Sequence, residues 1–163
     1  MQPIIAGLAL TLALAVPGPV NSRAGAQTTA PVSATPQSVV KALQDAGYKA
    51  ELTKDSTGAP LIHSASGGAR FSIFFFGCDN GTGCGEIQFY AGWTDKISLE
   101  RINQWNRTHR FGRAYLDDKG EVNIEYDINL EQASISGALF RNDLELWTGL
   151  MARFQGFVGG KDD

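Results

Sequence analysis

The chain has 163 residues, 43% of them apolar and 19% charged, and its 14 Lys and Arg against 17 Asp and Glu give a formal net charge of −3. That composition supports one domain with a real core and excludes collagen-like, coiled-coil and wholly disordered chains. The small acidic excess provides no general attraction to nucleic acid or to an anionic membrane surface.

In chain order, the first signal is an uninterrupted apolar and small-residue run from Ile4 to Val16, followed by Pro17-Gly18-Pro19 and then Ala24-Gly25-Ala26. Hydrophobic region, helix breaker and A-x-A site in that order predict a secretory signal peptide over residues 1–26, cleaved after Ala26, and a periplasmic or secreted location. The run falls short of the ~20 residues a spanning helix needs, so no stable membrane insertion is expected once it is removed. Removal takes Arg23 and no acid, leaving 13 basic against 17 acidic residues. Residues 27–35 (QTTAPVSAT) read as a disordered leader, residues 36–158 as the domain and residues 159–163 as a flexible tail.

Thr35-Pro36 predicts an N-cap with Pro at the first helical position, and Val39, Val40, Leu43 and Ala46 continue at helical spacing to Gly47. Tyr48 to Thr53 and Pro60 to Ser64 flank the turn residues Asp55-Ser56-Thr57-Gly58 and predict a hairpin. Arg70 to Phe76 is nearly continuous in apolar character and reads as a strand covered on both faces, whereas Glu86 to Trp93 alternates.

Ser98 reads as an N-cap, with Leu99, Ile102 and Trp105 as the buried face of a helix ending near His109. Phe111 to Asp117 and Glu121 to Leu130 read as strands around Asp118-Lys119-Gly120, the second with one wet, acidic face. Leu139, Phe140, Leu144, Trp147, Leu150, Met151, Phe154 and Val158 mark a long closing helix. The order α-β-β-β-β-α-β-β-α defines an α+β domain: an antiparallel sheet with helices packed on one face.

Cys78 and Cys84, the two cysteines of the chain, are separated by Asp-Asn-Gly-Thr-Gly, the composition of a hairpin turn. Paired flanking strands would bring them to disulfide distance, and an oxidising compartment would preserve the bond. A loop this short contributes at most about 2.4 kcal/mol by the chain-entropy relation, so the bond acts as a staple. The spacing is not C-x-x-C, and His63 and His109 do not stand at zinc-ligand spacing, so neither a redox pair nor a metal site is expected. No nucleophile elbow, H-E-x-x-H or phosphate loop occurs, and no catalytic residue or cofactor is expected. Arg101, Arg107, Arg110 and Arg113 face, in sequence, the acids Asp117, Asp118, Glu121, Glu125, Asp127 and Glu131, and pairing between the two sets is favoured over a free basic patch.

Gly77-Cys78 after an aromatic strand, Cys84 before the next, and Ile102-Asn103-Gln104-Trp105-Asn106-Arg107 running into Arg110-Phe111-Gly112-Arg113-Ala114-Tyr115-Leu116-Asp117 form a pattern. With the acidic strand and the Leu146-Trp147 helix, it resembles the YbjN family of bacterial sensory transduction regulators over roughly residues 36–158. The specific part is N-x-W-N-R…R-F-G-R-A-Y. The resemblance implies a fold like that of type III secretion chaperones, binding of other proteins or self-association, and no established enzyme activity or cofactor. An exported member would have no access to DNA or to a cytosolic response regulator.

The sequence therefore points to an exported, non-enzymatic protein-interaction module with an unidentified protein partner or a homodimer. The alternative is a periplasmic sensor that binds a small ligand or the cell envelope. Trp93, Arg107, Arg110 and Arg113, together with an exposed sheet face, form the expected interaction surface. Trp105, Asn106 and Tyr115 are further motif candidates, with packing as the simpler role for Trp105 and backbone hydrogen bonding in the following turn for Asn106.

Overall fold

A computed structural model describes residues 30–80, 83–130 and 134–161. The signal segment, the first part of the leader, Glu131 and the last two residues of the tail lie outside those residues. The elements are α1 (Pro36–Asp45), β1 (Glu51–Lys54), β2 (Pro60–Ser66), β3 (Ala69–Phe76), β4 (Glu86–Trp93), α2 (Leu99–Thr108), β5 (Arg113–Leu116), β6 (Val122–Asn129) and α3 (Gly137–Val158). This is the expected α-β-β-β-β-α-β-β-α order, and the six strands form one antiparallel sheet in the order β1-β2-β3-β4-β6-β5.

Local chemistry sets the boundaries. Thr35 caps α1 by accepting the Ser38 amide, Ser98 caps α2 by accepting that of Arg101, and Ser136 caps α3 by accepting that of Leu139. In the β1–β2 turn the Asp55 carboxylate accepts from the Thr57 hydroxyl at 2.7 Å and from the Thr57 and Ala59 amides at 2.8 and 2.9 Å, and these bonds, the hydroxyl's first, hold that carboxyl below its ordinary pKa.

The register separates the two faces. Ile62, Ile73, Phe89 and Tyr126 lie in one transverse row and Phe75, Ile87 and Ile128 in the next, all on the face that carries the core. Trp147 of α3 lies at its centre, with its ring centroid 5.6 Å from Phe89 and 6.2 Å from Phe71. Val39 and Leu43 of α1 and Ile102 and Trp105 of α2 complete the same core. The indole N–H groups of Trp105 and Trp147 are buried without a partner, a cost the surrounding apolar burial offsets.

Four expectations are corrected. The ordered chain starts before Pro36: Val32 and Ala34 are each 3% exposed, and Val32 exchanges backbone hydrogen bonds of 2.8 and 3.0 Å with Ile135. Val32, Ala34 and Pro36 enter the core at alternate positions, as in a strand, although the pairing is too short to leave a periodic signal. At the other end, the Lys161 amide bonds to the Gly156 carbonyl at 2.9 Å, so the first tail residues fold back on α3. In the helices, Leu99 is 66% exposed because steps of three residues each fall back about 60° on a 3.6-residue turn, which carries it away from Trp105. Leu139 is also exposed, about 100° round from the buried Phe140. Finally, β3 is covered on one face: Phe71, Ile73 and Phe75 are buried, Phe74 is half-buried and Phe76 is exposed.

Trp147→Ala should lower unfolding stability by about 3–5 kcal/mol, the range for an aromatic removed from a packed core. Leu99→Ser should change it by less than about 0.5 kcal/mol. Urea titrations followed by circular dichroism provide both values.

Candidate functional site

Trp105 stands on the inner stripe of α2, 1% exposed, with its ring edge-on to Phe154 at 4.8 Å and stacked on His109 at 3.6 Å. It is a core residue, as expected from its spacing. Asn106, one position on, reaches β5: its Nδ2 donates to the Ala114 carbonyl and its Oδ1 accepts from the Ala114 amide, both at 3.0 Å. Ala114 is paired with Ile124 on its inner side, and β5 is an edge strand, so this amide occupies backbone groups that a further strand would otherwise claim.

The link between α2 and β5 is tight. Phe111 has φ +73°, and a Cβ at Gly112 would lie 2.4 Å from Leu150 Cδ2 and 3.0 Å from Ile124 Cδ1. Only glycine fits where the link crosses α3 and β6. The Arg110 guanidinium lies 5.2 Å over the Phe111 ring, and Arg107 is exposed at the last turn of α2.

Arg113 and Tyr115 project from β5 onto the face opposite the helices. Both bind Glu125 of β6: Arg113 forms an ion pair with it, and the Tyr115 hydroxyl donates to Oε1 at 2.6 Å. Next to them, the Tyr90 hydroxyl donates to Asn123 Oδ1 at 2.5 Å, and Asn123 Nδ2 donates to the Glu121 carbonyl at 3.0 Å. The expected wet acidic face is therefore corrected at two positions, since Asn123 and Glu125 are buried beneath their own hydrogen-bond partners. Asp127 stays exposed and accepts from Gln88 at 2.7 Å. His63 Nδ1 and Ser72 Oγ lie 3.0 Å apart on the same open face.

The two charged sets meet in part. Arg113–Glu125 joins them among the described residues, while Arg101 instead donates to the Phe157 carbonyl at 2.9 Å and lies over that ring. Trp93 is half-buried on the helix-covered face, edge-on to Phe154 at 5.5 Å, so Trp93 and Arg113 are on opposite sides of the sheet. Cys78 and Cys84 are bonded, and the Cys84 amide donates to the Ala34 carbonyl, anchoring the entry to α1. Among the described residues, no three or more His, Cys, Asp or Glu are grouped to hold a metal ion, and no helix is long and apolar enough to cross a membrane.

Sequence reasoning missed Tyr90, Gly92 and Asn123, whose association depends on the register between β4 and β6. It also missed the Tyr126 hydroxyl bonded to Asp143 at 3.1 Å, which ties the sheet to α3. Burial, then the Asp143 charge, pushes the Tyr126 phenol up to about 12, and burial raises the Asp143 carboxyl. Tyr115 is pushed up by burial and its bond to Glu125, and Tyr90 by burial and nearby carboxylates.

These observations define a small α+β scaffold with one covered and one open sheet face, whose most distinctive motif supports an edge strand. The chain belongs to the YbjN family, described as "Putative bacterial sensory transduction regulator", which matches residues 35–159. No curated protein matches it.

Asn106→Ala should cost about 1 kcal/mol and speed amide exchange at Ala114, as measured by hydrogen exchange with mass spectrometry. A second outcome concerns alkaline pH. The folded chain retains phenolic protons that the unfolded chain releases from about pH 10, so stability should fall with rising pH from there towards about 12, where Tyr126 ionises. Urea midpoints measured between pH 9 and 11.5 should decline, and Tyr126→Phe should make the decline shallower.

Proposed function

We propose that the protein is an exported regulatory module, chaperone-like in shape, that acts by binding another protein without catalysis. The family's regulatory description supports the general reading. The observation that carries the specific one is the open sheet face, where Phe74 and Tyr90 meet edge-on at 5.6 Å and Phe76 is 45% exposed. A helix-free face with aromatic side chains at its centre and polar groups around them matches the core-and-rim pattern of protein interfaces. Arg113 and Tyr115 line its β5 side, and Arg107 and Arg110 extend the charge beyond that edge. Export is supported by the apolar run Ile4 to Val16, by Ala24-Gly25-Ala26 and by the Cys78–Cys84 bond, which suits an oxidising compartment. A homodimer joined through the same face is the simplest form of the proposal.

The test is crosslinking with affinity capture of residues 27–163 from the cell envelope, alongside the sedimentation mass of the isolated protein. One protein captured at near-equal stoichiometry, or twice the monomer mass in solution, is expected. Phe74→Asp should weaken that association at least about tenfold, whereas Arg153→Glu on the outer side of α3 should leave it unchanged. Association that persists undiminished in Phe74→Asp would remove the open face from the proposal. Arg113 is unsuitable as the probe, because replacing it strands the buried Glu125.

A further inference from the structure

A groove of about 970 Å³ lies at the β1–β4 end of the sheet, lined by the chain that follows α1 and by β1, β2, β3 and β4. Its charge is opposite in sign to that of the whole chain. Lys49, Arg70 and the His63 imidazole line it against one carboxylate, Glu51, in a protein of formal charge −3. Lys49 and Arg70 are exposed, and the ion pairs among the described residues, Lys41–Asp45 and Arg113–Glu125, involve neither of them. Both cations are therefore free to meet an anion.

The register gathers the polar lining on one face. His63, Ser72 and Tyr90 are cross-strand neighbours on the open face, and Arg70, two residues before Ser72 on β3, shares it. Gly92 also lines the groove, and a Cβ there would fall 2.7 Å from Asn123 Oδ1 and 2.8 Å from the Tyr90 hydroxyl. Bare backbone at this position leaves room for the Tyr90–Asn123 bond beside the groove.

We propose that this groove binds a small phosphate-bearing molecule with a polar body. Arg70 supplies a planar fork for two phosphate oxygens and Lys49 a second cation. The hydroxyls of Ser72 and Tyr90 and the His63 ring supply polar contacts for the body. The groove is within the size range of small-molecule sites. The site borders the aromatic patch of the open face but does not depend on that patch binding a protein, and the two are read by different measurements.

Isothermal titration of the purified protein with glucose 6-phosphate, with glucose, and with phosphatidylcholine vesicles with or without phosphatidylglycerol provides the test. Saturable binding of glucose 6-phosphate with a Kd on the order of 1 mM or tighter, and none of glucose, is the expected result. Arg70→Gln combined with Lys49→Gln should weaken it at least about tenfold, and Arg153→Gln, which removes a positive charge elsewhere, should leave it unchanged. Binding confined to the phosphatidylglycerol vesicles and lost in the same double variant assigns the phosphate to a lipid headgroup. The absence of saturable binding to either probe overturns the site, as does binding that survives the double variant. Both substituted side chains are exposed, and an unchanged urea midpoint verifies that the variant is folded.

Discussion

Trp147 on Phe89 is the contact around which the molecule is arranged. A sheet of six strands has two faces to satisfy, and a single 22-residue helix with a wide aromatic stripe covers the centre of one of them. The shorter helices then have defined places: α1 over β2, and α2 at the β5 edge, where Trp105 reaches the far end of the same stripe at Phe154 and Phe157. With all three helices on one side, the other face is left to its own side chains.

That second face is organised by hydrogen bonds. Successive strands contribute His63, Ser72, Tyr90, Glu125 and Arg113 to one transverse row, and the bonds made by these residues run mostly between neighbouring strands. Such a row fixes registration as hydrophobic pairing does on the inner face, because a slip of one residue would move a buried carboxylate away from its arginine and tyrosine. The face is therefore pre-ordered, with little side-chain freedom to lose when another molecule settles on it.

Much of this architecture is written in local signals. Thr35-Pro36, Ser98 and the Asp55 turn mark boundaries through single hydrogen bonds that their residue types foretell, and the cysteine pair follows from the turn between its strands. The role of Asn106 was readable in kind, as a backbone partner, but its partner is an edge strand because α2 lies against β5 in space. The groove was not readable at all: Lys49, His63, Arg70 and Ser72 come from a turn and two different strands, and no spacing along the chain connects them. Trp93 and Arg113 fail as a joint surface for the same reason, since the strand register sends them to opposite faces. Alternation predicts which residues share a side of one strand, but only pairing shows which side that is.

The bridge between Val32 and Ile135 joins the start of the described chain to the entry of its last helix. Closing so long a loop has a high entropic cost before it returns any contact, so this junction forms late, after the hairpins and the α3 stripe have assembled. By the same reasoning it is among the first to open in a thermal fluctuation, lifting Val32 and Ala34 out of the core while the rest holds. The stretch just ahead of α1 is then the natural point of first attack for a protease, and the Cys84 amide that holds Ala34 is a latch against it. Resistance to proteolysis is thereby tied to a few backbone hydrogen bonds just ahead of α1.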